Sequence, residues 1–329
     1  MQANAGHGDT TVEVVAAGHA DTRTQEGTCL IERVQSHTLF AGEGAPEVWE
    51  RARSLQRLGL AVEAARFTMA LAQRVRTRAE RWDRIHSHWL VPSTLAVTLA
   101  NTGKPHVAFV HSGDVAALEA LPGGARLARW IVCQVQGVVC VSDDLALRLE
   151  RLVGKPWPTQ VGRHVQAMPV DPAAFAPRLT PPSKRSGILG VGRLVPIKGF
   201  HTLVLALGGL PVRRRPALTL LGEGPERARL ARLACELGVS LHLRGAVHAT
   251  QVAGEMARAA ACVVPSRRLP SGRTEGYPLV VAEALGLGTP VIATAVGGLA
   301  GLGSHPLVTL VPQGDVGGLR SALSRLPPA

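Results

Sequence analysis

The sequence of 329 residues contains few aromatic side chains, which make up 3% of it and include a single tyrosine. Proteins that bind single-stranded nucleic acid stack its bases on aromatic rings. The scarcity of such rings therefore argues against nucleic acid as a partner, despite a net charge of +12. Hydrophobic residues account for 46% of the chain, so we expect a large aliphatic core. At this length, two domains are the usual arrangement.

Segments that would direct the chain to a membrane or a secretory route are also lacking. No uninterrupted apolar run reaches the roughly 18 residues that a membrane-spanning helix needs. The first residues, Met-Gln-Ala-Asn-Ala-Gly-His-Gly, have neither the basic start nor the apolar stretch of a signal peptide. The five cysteines are an odd number without Cys-x-x-Cys spacing, which favours reduced thiols in the core. These features predict a cytoplasmic protein.

Positive charge is concentrated in the second half of the chain. Residues 181–329 contain 17 basic and 7 acidic residues, whereas residues 1–180 are nearly balanced, with 19 basic and 17 acidic. The second half is therefore expected to attract anions. A nucleotide, a nucleic acid and an anionic membrane surface all fit this charge.

Short apolar segments alternate with helical patterns in both halves, which predicts an α/β fold with doubly wound parallel sheets. We expect one domain at 1–174 and a second at 183–329, joined by a proline-rich linker at about 171–186. Strands are predicted at 10–16, 28–34, 84–88, 106–110, 136–141, 165–170, 187–191, 217–221, 241–245 and 259–265. A modest helix at 315–326 ends the chain.

Residues 46–81 have a helical pattern that is unusually rich in arginine. Its apolar positions recur at steps of three and four: Leu55, Leu58, Val62, Ala65 and Met69. A basic amphipathic helix can lie on an anionic membrane surface, such as the inner face of the cytoplasmic membrane. The alternative, which we favour, is a helix packed through these apolar residues with its arginines in solvent.

The stretch from Ser266 to Gly288 has the order strand, loop, helix. Pro278 suits a first helical turn, and the N–H groups of a helix N-terminus attract anions. Glu275 lies before that terminus and Glu283 lies inside the helix. Carboxylates beside an anion site fit a ligand that has hydroxyl groups as well as phosphate, as a sugar nucleotide does.

These residues resemble the E-x7-E element of the retaining family-4 glycosyltransferases of GT-B fold. Seven residues separate Glu275 from Glu283, and Gly288-Thr-Pro-Val resembles the continuation in that family. The resemblance implies two Rossmann-like doubly wound domains that face a cleft. It also implies transfer of a sugar from a UDP-, GDP- or ADP-sugar to a hydroxyl of an acceptor saccharide or lipid-linked saccharide, without metal or cofactor.

A second matching segment, Gly190-Val-Gly-Arg193-Leu-Val-Pro-Ile-Lys198-Gly, places two basic residues after a strand and its glycines. This is the outline of a phosphate cradle, and it resembles the segment of the family that holds the donor diphosphate. By resemblance, Glu275 contacts the donor sugar and Glu283 the ribose. The remaining implied diphosphate contacts are Gly276, Tyr277, Pro278 and Leu279, and the residues beside the nucleobase are Arg244 and Val247.

Two histidine-containing segments lie in the first half. His111-Ser-Gly-Asp follows a predicted strand and resembles a segment of the family whose histidine lies near the transferred sugar, so His111 is a catalytic candidate. His, Ser and Asp within four positions cannot form a hydrolase triad. His86-Ser-His88-Trp places two histidines on one side of a strand, as a metal pair requires, but it also resembles a stretch of the family at the wall of the acceptor cleft.

The resemblance leaves alternatives open. The first strand, its glycine-rich loop and the C-terminal crossover helices of the family have no counterpart in this sequence. A non-catalytic relative that binds a nucleotide sugar is therefore the main alternative to an enzyme of polysaccharide or glycolipid assembly. A GT-B epimerase fits less well, because of the E-x7-E context. The donor base and sugar, the acceptor and the oligomeric state are not specified by the sequence.

Overall fold

The computed structural model describes residues 11–26, 29–36, 54–167, 170, 181 and 184–326. These residues pack as two compact units, both discontinuous in sequence. The first unit comprises residues 1–110, 117–139 and 152–163, and the second comprises 111–116, 140–151 and 164–329. Most of the predicted linker at 171–186 lies outside the described residues, and the predicted domain boundaries stay a prediction.

The chain begins with a small three-stranded sheet. Its strands are β1 (Val12–Gly18), β2 (Thr22–Glu26) and β3 (Cys29–Gln35), in the order β1-β3-β2. The predictions of β1 and β3 are confirmed, and these two strands are parallel. No strand was predicted for the segment of β2, so this strand was missed. Its five residues are exposed and polar, so its strand conformation comes from antiparallel pairing with β3 and not from burial.

The long helix α1 (Ser54–Arg78) packs through a different face from the predicted one. Leu58 is 68% exposed and Met69 is 60% exposed. Phe67 and Leu71 are buried instead, in a cluster with residues of β3 and β4. The helix is therefore packed, as we favoured, but the expectation that Leu58, Val62 and Met69 form its packed face was wrong. Residues 46–53 of the predicted helix and the side chain of Leu55 lie outside the described set.

Two arginine side chains of α1 contact the first sheet. Arg78 forms ion pairs with Glu13 of β1 and with Glu32 of β3, and Arg74 also pairs with Glu32. Trp82 donates its indole N–H to Glu13 over 2.8 Å. Because Glu32 is buried, its charge needs these cations. The arginine content of α1 therefore holds the helix against the first sheet.

The second sheet has the order β4-β5-β6-β7. Its strands are β4 (Ile85–His88), β5 (His106–Val110), β6 (Gly137–Cys140) and β7 (Gly162–Val165). The last of these ends where the predicted strand 165–170 was to begin, so that prediction was wrong. The accompanying helices are α2 (Leu95–Ala100), α3 (Ser112–Ala120), α4 (Gly124–Val132) and α5 (Asp143–Val153).

The C-terminal sheet has six parallel strands in the order β10-β9-β8-β11-β12-β13. They are β8 (Ile188–Val191), β9 (Leu218–Leu221), β10 (Leu241–Gly245), β11 (Ala261–Val264), β12 (Val291–Thr294) and β13 (Val308–Val311). The helices are α6 (Phe200–Gly208), α7 (Arg227–Leu237), α8 (Ala249–Arg258), α9 (Leu279–Gly286) and α10 (Val316–Ser324). The predicted doubly wound parallel sheet is confirmed.

Apolar clusters line both faces of this sheet. One cluster joins the sheet to α6, α7 and α10 through residues such as Leu203, Leu230 and Leu319. The other joins it to α8 and α9 through residues such as Met256 and Val281. A sheet buried on both faces has uniformly apolar strands. This explains why β8, β9 and β11 were recognisable in the sequence.

The cysteines differ in burial, although all of them were expected in the core. All five are free thiols, and Cys140 and Cys262 are buried, but Cys235 is exposed on α7.

Among the described residues, no helix combines the length and the apolar character that crossing a bilayer requires.

The core of the first unit contains a buried histidine, His106 of β5, whose Nε2 lies 2.7 Å from Ser87 Oγ. Burial, together with the nearby His86, lowers the pKa of His106 to about 4. Between this value and the ordinary 6.5, the unfolded chain binds a proton that the folded chain does not. Proton uptake by His106 in the unfolded chain therefore lowers the free energy of unfolding as the pH falls from about 6.5 towards 4. Above about pH 6.5 it has no effect.

We predict that replacing His106 by glutamine reduces the acid sensitivity of folding. Glutamine keeps an N–H donor for Ser87 but does not titrate. From pH 7 to pH 4, the free energy of unfolding should fall by roughly 3 kcal/mol less in His106→Gln than in the unmodified chain. Urea unfolding at both pH values measures this, and equal losses in the two proteins would contradict the prediction.

Candidate functional site

The candidate site lies where the strand order of the C-terminal sheet reverses. From β8 the chain continues to β9 and β10 on one side, and then returns to β11 on the other side of β8. Loops at the carboxyl ends of two such neighbouring strands diverge, and the crevice between them is where open α/β sheets bind ligands. The loop after β8 contains Arg193 and Lys198, and the loop after β11 contains Glu275.

An ion pair connects these two loops. Lys198 Nζ contacts Glu275 Oε1, and the side chains are only 17% and 13% exposed. Ser266 donates its hydroxyl to the other carboxylate oxygen of Glu275, and Thr294 donates to the carbonyl of Ser266. Both oxygens of Glu275 are thus held in place, one by Lys198 from the loop after β8 and the other by Ser266, which is itself bonded to Thr294 of β12.

Close backbone contact fixes the turn that presents Lys198. The helical turn Pro196–Lys198 ends at Gly199, whose φ is +65°. A Cβ at this position would lie 2.0 Å from the carbonyl oxygen of Pro265, at the end of β11. Glycine is required here both by the left-handed backbone conformation and by the lack of space.

The helix that follows the second loop begins at the predicted position. Pro278 precedes α9 and has no side chain that could accept from the first N–H groups. Leu279, the first helical residue, is 43% exposed. The N–H groups of this first turn, with the helix dipole behind them, form a place suited to an anion. Tyr277 beside it is half-buried, and burial raises the pKa of its hydroxyl.

Glu283 lies in the same region as Lys198. Burial raises the pKa of Glu283. The thiol of Cys262 in β11 has its pKa raised to about 12, first by burial and then by the negative charge of Glu283, while the positive charge of Lys198 opposes the shift. Lys198, in the turn before α6, and Glu283, in α9, are thus both near enough to Cys262 for their charges to act on its thiol. Arg193 is exposed on the loop after β8.

The segment that contains His111 meets Gly276 within the second unit. A Cβ on Gly276 would lie 3.5 Å from the backbone nitrogen of Ser112 and 2.9 Å from a methyl group of Val141. His111 is half-buried, and its backbone N–H donates to the fully buried carboxylate of Asp114 over 3.1 Å. Asp114 therefore fixes the backbone at His111.

Of the two residues expected beside the nucleobase, Arg244 lies in β10 and Val247 follows that strand. Arg244 is exposed and forms a 3.8 Å ion pair with Glu255 of α8. Val247 packs against the apolar cluster under α8 and α9. Their role beside the nucleobase stays a prediction.

Sequence reasoning missed Ser266 and Thr294 as site residues. Ser266 follows Pro265 directly after β11, and this position at the end of a buried strand was a usable signal. Thr294 lies in β12, 28 residues from Ser266, and nothing in its local sequence indicates the contact. The two histidines of the metal alternative both contact Phe109: the ring centroids of His86 and His88 lie 5.6 and 4.7 Å from that of Phe109. Within the described ranges, no three potential metal-binding side chains gather.

In a comparison with known proteins, each half of the chain matches a glycosyltransferase family model. The family model described as Glycosyl transferases group 1 matches residues 185–327, and that of Glycosyltransferase Family 4 matches residues 9–161. The D-inositol 3-phosphate glycosyltransferase of Jonesia denitrificans is 31% identical over 295 residues, which cover 78% of this chain and 67% of that protein. The chain belongs to the family-4 glycosyltransferases of GT-B fold.

Two further relatives are longer than the region that matches this chain. The lipopolysaccharide core biosynthesis glycosyltransferase LpsD of Rhizobium meliloti is 32% identical over 193 residues, covering 58% of this chain and 53% of LpsD. A second protein of that organism, LpsE, is 35% identical over 164 residues, covering 50% of this chain and 43% of LpsE. The chain therefore spans about half the length of these two relatives.

Solved structures share the GT-B fold. Sucrose-phosphate synthase from Thermosynechococcus elongatus superposes with a TM-score of 0.72 at 21% identity, covering 95% of this chain and 79% of that one. Anabaena HepE in complex with UDP gives a TM-score of 0.62 at 20% identity, covering 78% and 71%. At these identities the likeness shows the fold alone.

We predict that Gly199→Ala is much more damaging than Gly103→Ala. Both glycines have φ values near +65°, but a Cβ at Gly103 (φ +69°) meets nothing within 4 Å. Gly103→Ala should cost about 1 kcal/mol for the backbone conformation alone, whereas Gly199→Ala must also displace Pro265 and should cost at least about 3 kcal/mol. Chemical denaturation of both variants measures the difference, and similar costs would refute the close contact.

Proposed function

We propose that this family-4 glycosyltransferase transfers a sugar from a nucleoside-diphosphate sugar to an acceptor hydroxyl with retention of configuration and without a metal ion. The observation that supports this most strongly is the Lys198–Glu275 ion pair, which lies across the switch point of a parallel sheet. A cation, a half-buried carboxylate and a helix N-terminus at one crevice suit a ligand with phosphate and hydroxyl groups.

In the proposed mechanism, the bond between the anomeric carbon and the β-phosphate oxygen breaks first. The bonding electrons leave with the diphosphate, so negative charge increases there. Lys198, Arg193 and the N–H groups of α9 would stabilise this charge more strongly as the bond breaks, which accelerates the step. The acceptor hydroxyl then bonds to the oxocarbenium-like carbon on the same face, and its proton passes to the leaving phosphate.

The carboxylates serve as binding groups in this proposal. Both oxygens of Glu275 already accept from Lys198 and Ser266, which suits an orienting group for sugar hydroxyls better than an attacking nucleophile. Retaining glycosidases that use a carboxylate nucleophile need a second carboxyl group about 5 Å away across the bond. Glu283, raised in pKa by burial, is assigned to the ribose hydroxyls. His111 is assigned to the vicinity of the transferred sugar.

The donor is proposed to be a UDP-, GDP- or ADP-sugar, and the acceptor a saccharide or a lipid-linked saccharide in polysaccharide or glycolipid assembly. Support comes from the relatives named for lipopolysaccharide core biosynthesis, and from the UDP in the HepE complex. Cytoplasmic location stays a prediction, as does a peripheral contact with an anionic membrane. For the latter, the exposed Leu58 and Met69 beside Arg66 on α1 are the relevant surface.

We predict that Lys198→Ala weakens donor binding at least tenfold. Loss of one charge-assisted hydrogen bond to phosphate corresponds to about 1.5–3 kcal/mol. Lys184→Ala is the matched control, because Lys184 precedes β8 and lies at the opposite end of the strand from Lys198. Isothermal titration with UDP-glucose, GDP-mannose and ADP-glucose measures affinity, and release of nucleoside diphosphate measures turnover.

The outcomes separate the candidate functions. Donor binding and turnover that both depend on Lys198 support the transferase. Binding that depends on Lys198, without turnover or hydrolysis of any donor, favours a non-catalytic relative. Equal affinities of the Lys198→Ala and Lys184→Ala variants for every donor would overturn the proposed site.

A further inference from the structure

Arg185, in the segment that leads into β8, binds the turn that follows α9. Its Nη1 donates to the carbonyl of Gly288 over 2.7 Å and to the hydroxyl of Thr289 over 3.1 Å. Its Nη2 donates to the carbonyl of Leu287 over 3.0 Å. A guanidinium presents several donors in a fixed planar geometry. One side chain therefore holds the end of α9 at three points.

The residues around Arg185 hold the end of the neighbouring helix as well. The backbone N–H of Ser186 donates over 2.9 Å to the carbonyl of Arg258, the last residue of α8. The hydroxyl of Thr289, which accepts from Arg185, donates over 2.8 Å to the carbonyl of Met256 in α8. The short segment before β8 thus fixes the C-terminal ends of both α8 and α9, which cover one face of the sheet.

The opposite end of α9 is the one that lies at the candidate site. Pro278, at its N-cap position, has no side chain that could bind the first N–H groups. The helix has eight residues, fewer than the roughly twelve that an isolated helix needs for stability. Its position therefore depends on packing, through Val281 and Ala284 in the core, and on the contacts of Arg185 at its C-terminal end.

Arg185 also places a positive charge at the negative end of the α9 dipole, where a cation is stabilising. Burial lowers the pKa of the Arg185 guanidinium, because part of its charge is removed from water. The carbonyl oxygens of Leu287 and Gly288 take the place of that water. The positive end of the same dipole is left for a ligand.

We propose that Arg185 is a positioning residue of the donor site, which holds α9 so that its first N–H groups and Glu283 meet the diphosphate and the ribose. The inference rests on the glycosyltransferase function proposed above. The hydrogen bonds of a helix join each turn to the next, so a helix this short moves as one body. A displacement of the turn at Leu287 therefore reaches Leu279, about 12 Å away along the helix.

The single tyrosine of the chain, Tyr277, provides a reporter for this displacement, because it directly precedes the N-cap residue of α9. The full chain labelled with 3-fluorotyrosine gives one ¹⁹F signal, at the end of α9 opposite Arg185. We expect Arg185→Ala to shift this signal without any ligand. It should also weaken the binding of UDP-glucose, GDP-mannose or ADP-glucose about fivefold, the factor for one ordinary hydrogen bond.

Arg76→Ala is the matched control. Arg76 donates to the carbonyls of Leu99 and Ala100 at the end of α2, over 3.0 and 3.3 Å, so it holds the C-terminus of a helix in the first unit. Its loss should lower the urea midpoint of unfolding but leave the Tyr277 signal and the donor affinity unchanged. Arg185→Lys keeps the charge without the planar donor geometry. It should show both effects of Arg185→Ala to a smaller extent, and it decides the question if Arg185→Ala does not fold.

The outcomes separate this inference from the proposed function. A Tyr277 signal or a donor affinity that is the same in the Arg185 and Arg76 variants would overturn the positioning role. If donor binding depends on Lys198 but not on Arg185, the proposed function stands and only the positioning role falls. If the unmodified chain binds none of the three sugar nucleotides, the proposed donor site has failed, and the inference fails with it.

Discussion

The ion pair between Lys198 and Glu275 is the interaction on which the architecture of the candidate site depends. Both side chains are largely removed from solvent, and a charge in such a place is costly without a partner. Pairing therefore requires the loop after β8 and the loop after β11 to meet at one point. A diphosphate would bring a second negative group to Lys198, so that binding and the internal pair act on the same cation.

The strand order of the C-terminal sheet brings these two loops together. Strands β8 and β11 are neighbours because the chain completes β9 and β10 on one side before it returns. The side chains of Ser266 and Thr294 then connect Glu275 to β11 and β12. The close contact between Gly199 and Pro265 fixes the turn that presents Lys198, the other partner of the ion pair. The sheet and these contacts thus hold the polar groups at defined separations, as a preorganised binding site requires.

The sequence predicted the features that depend on local composition. The strand β11 is uniformly apolar, and Pro278 indicates the start of α9, so the strand, loop and helix around Glu275 were recognisable. The polar strand β2 was missed because it forms only through pairing with β3. The packed face of α1 was misassigned because Arg74 and Arg78, which look like solvent-exposed residues, pair with acidic residues more than 40 positions away. Contacts of this kind have no local signature.

The central claim is most directly tested by a crystal structure of the protein with UDP. The account predicts that a β-phosphate oxygen lies within hydrogen-bonding distance of Lys198 Nζ and of the first N–H groups of α9, with the ribose hydroxyls at Glu283. It also predicts that Glu275 remains bound to Ser266. UDP bound elsewhere, with the Lys198–Glu275 pair unchanged and the start of α9 in contact with solvent, would contradict the account.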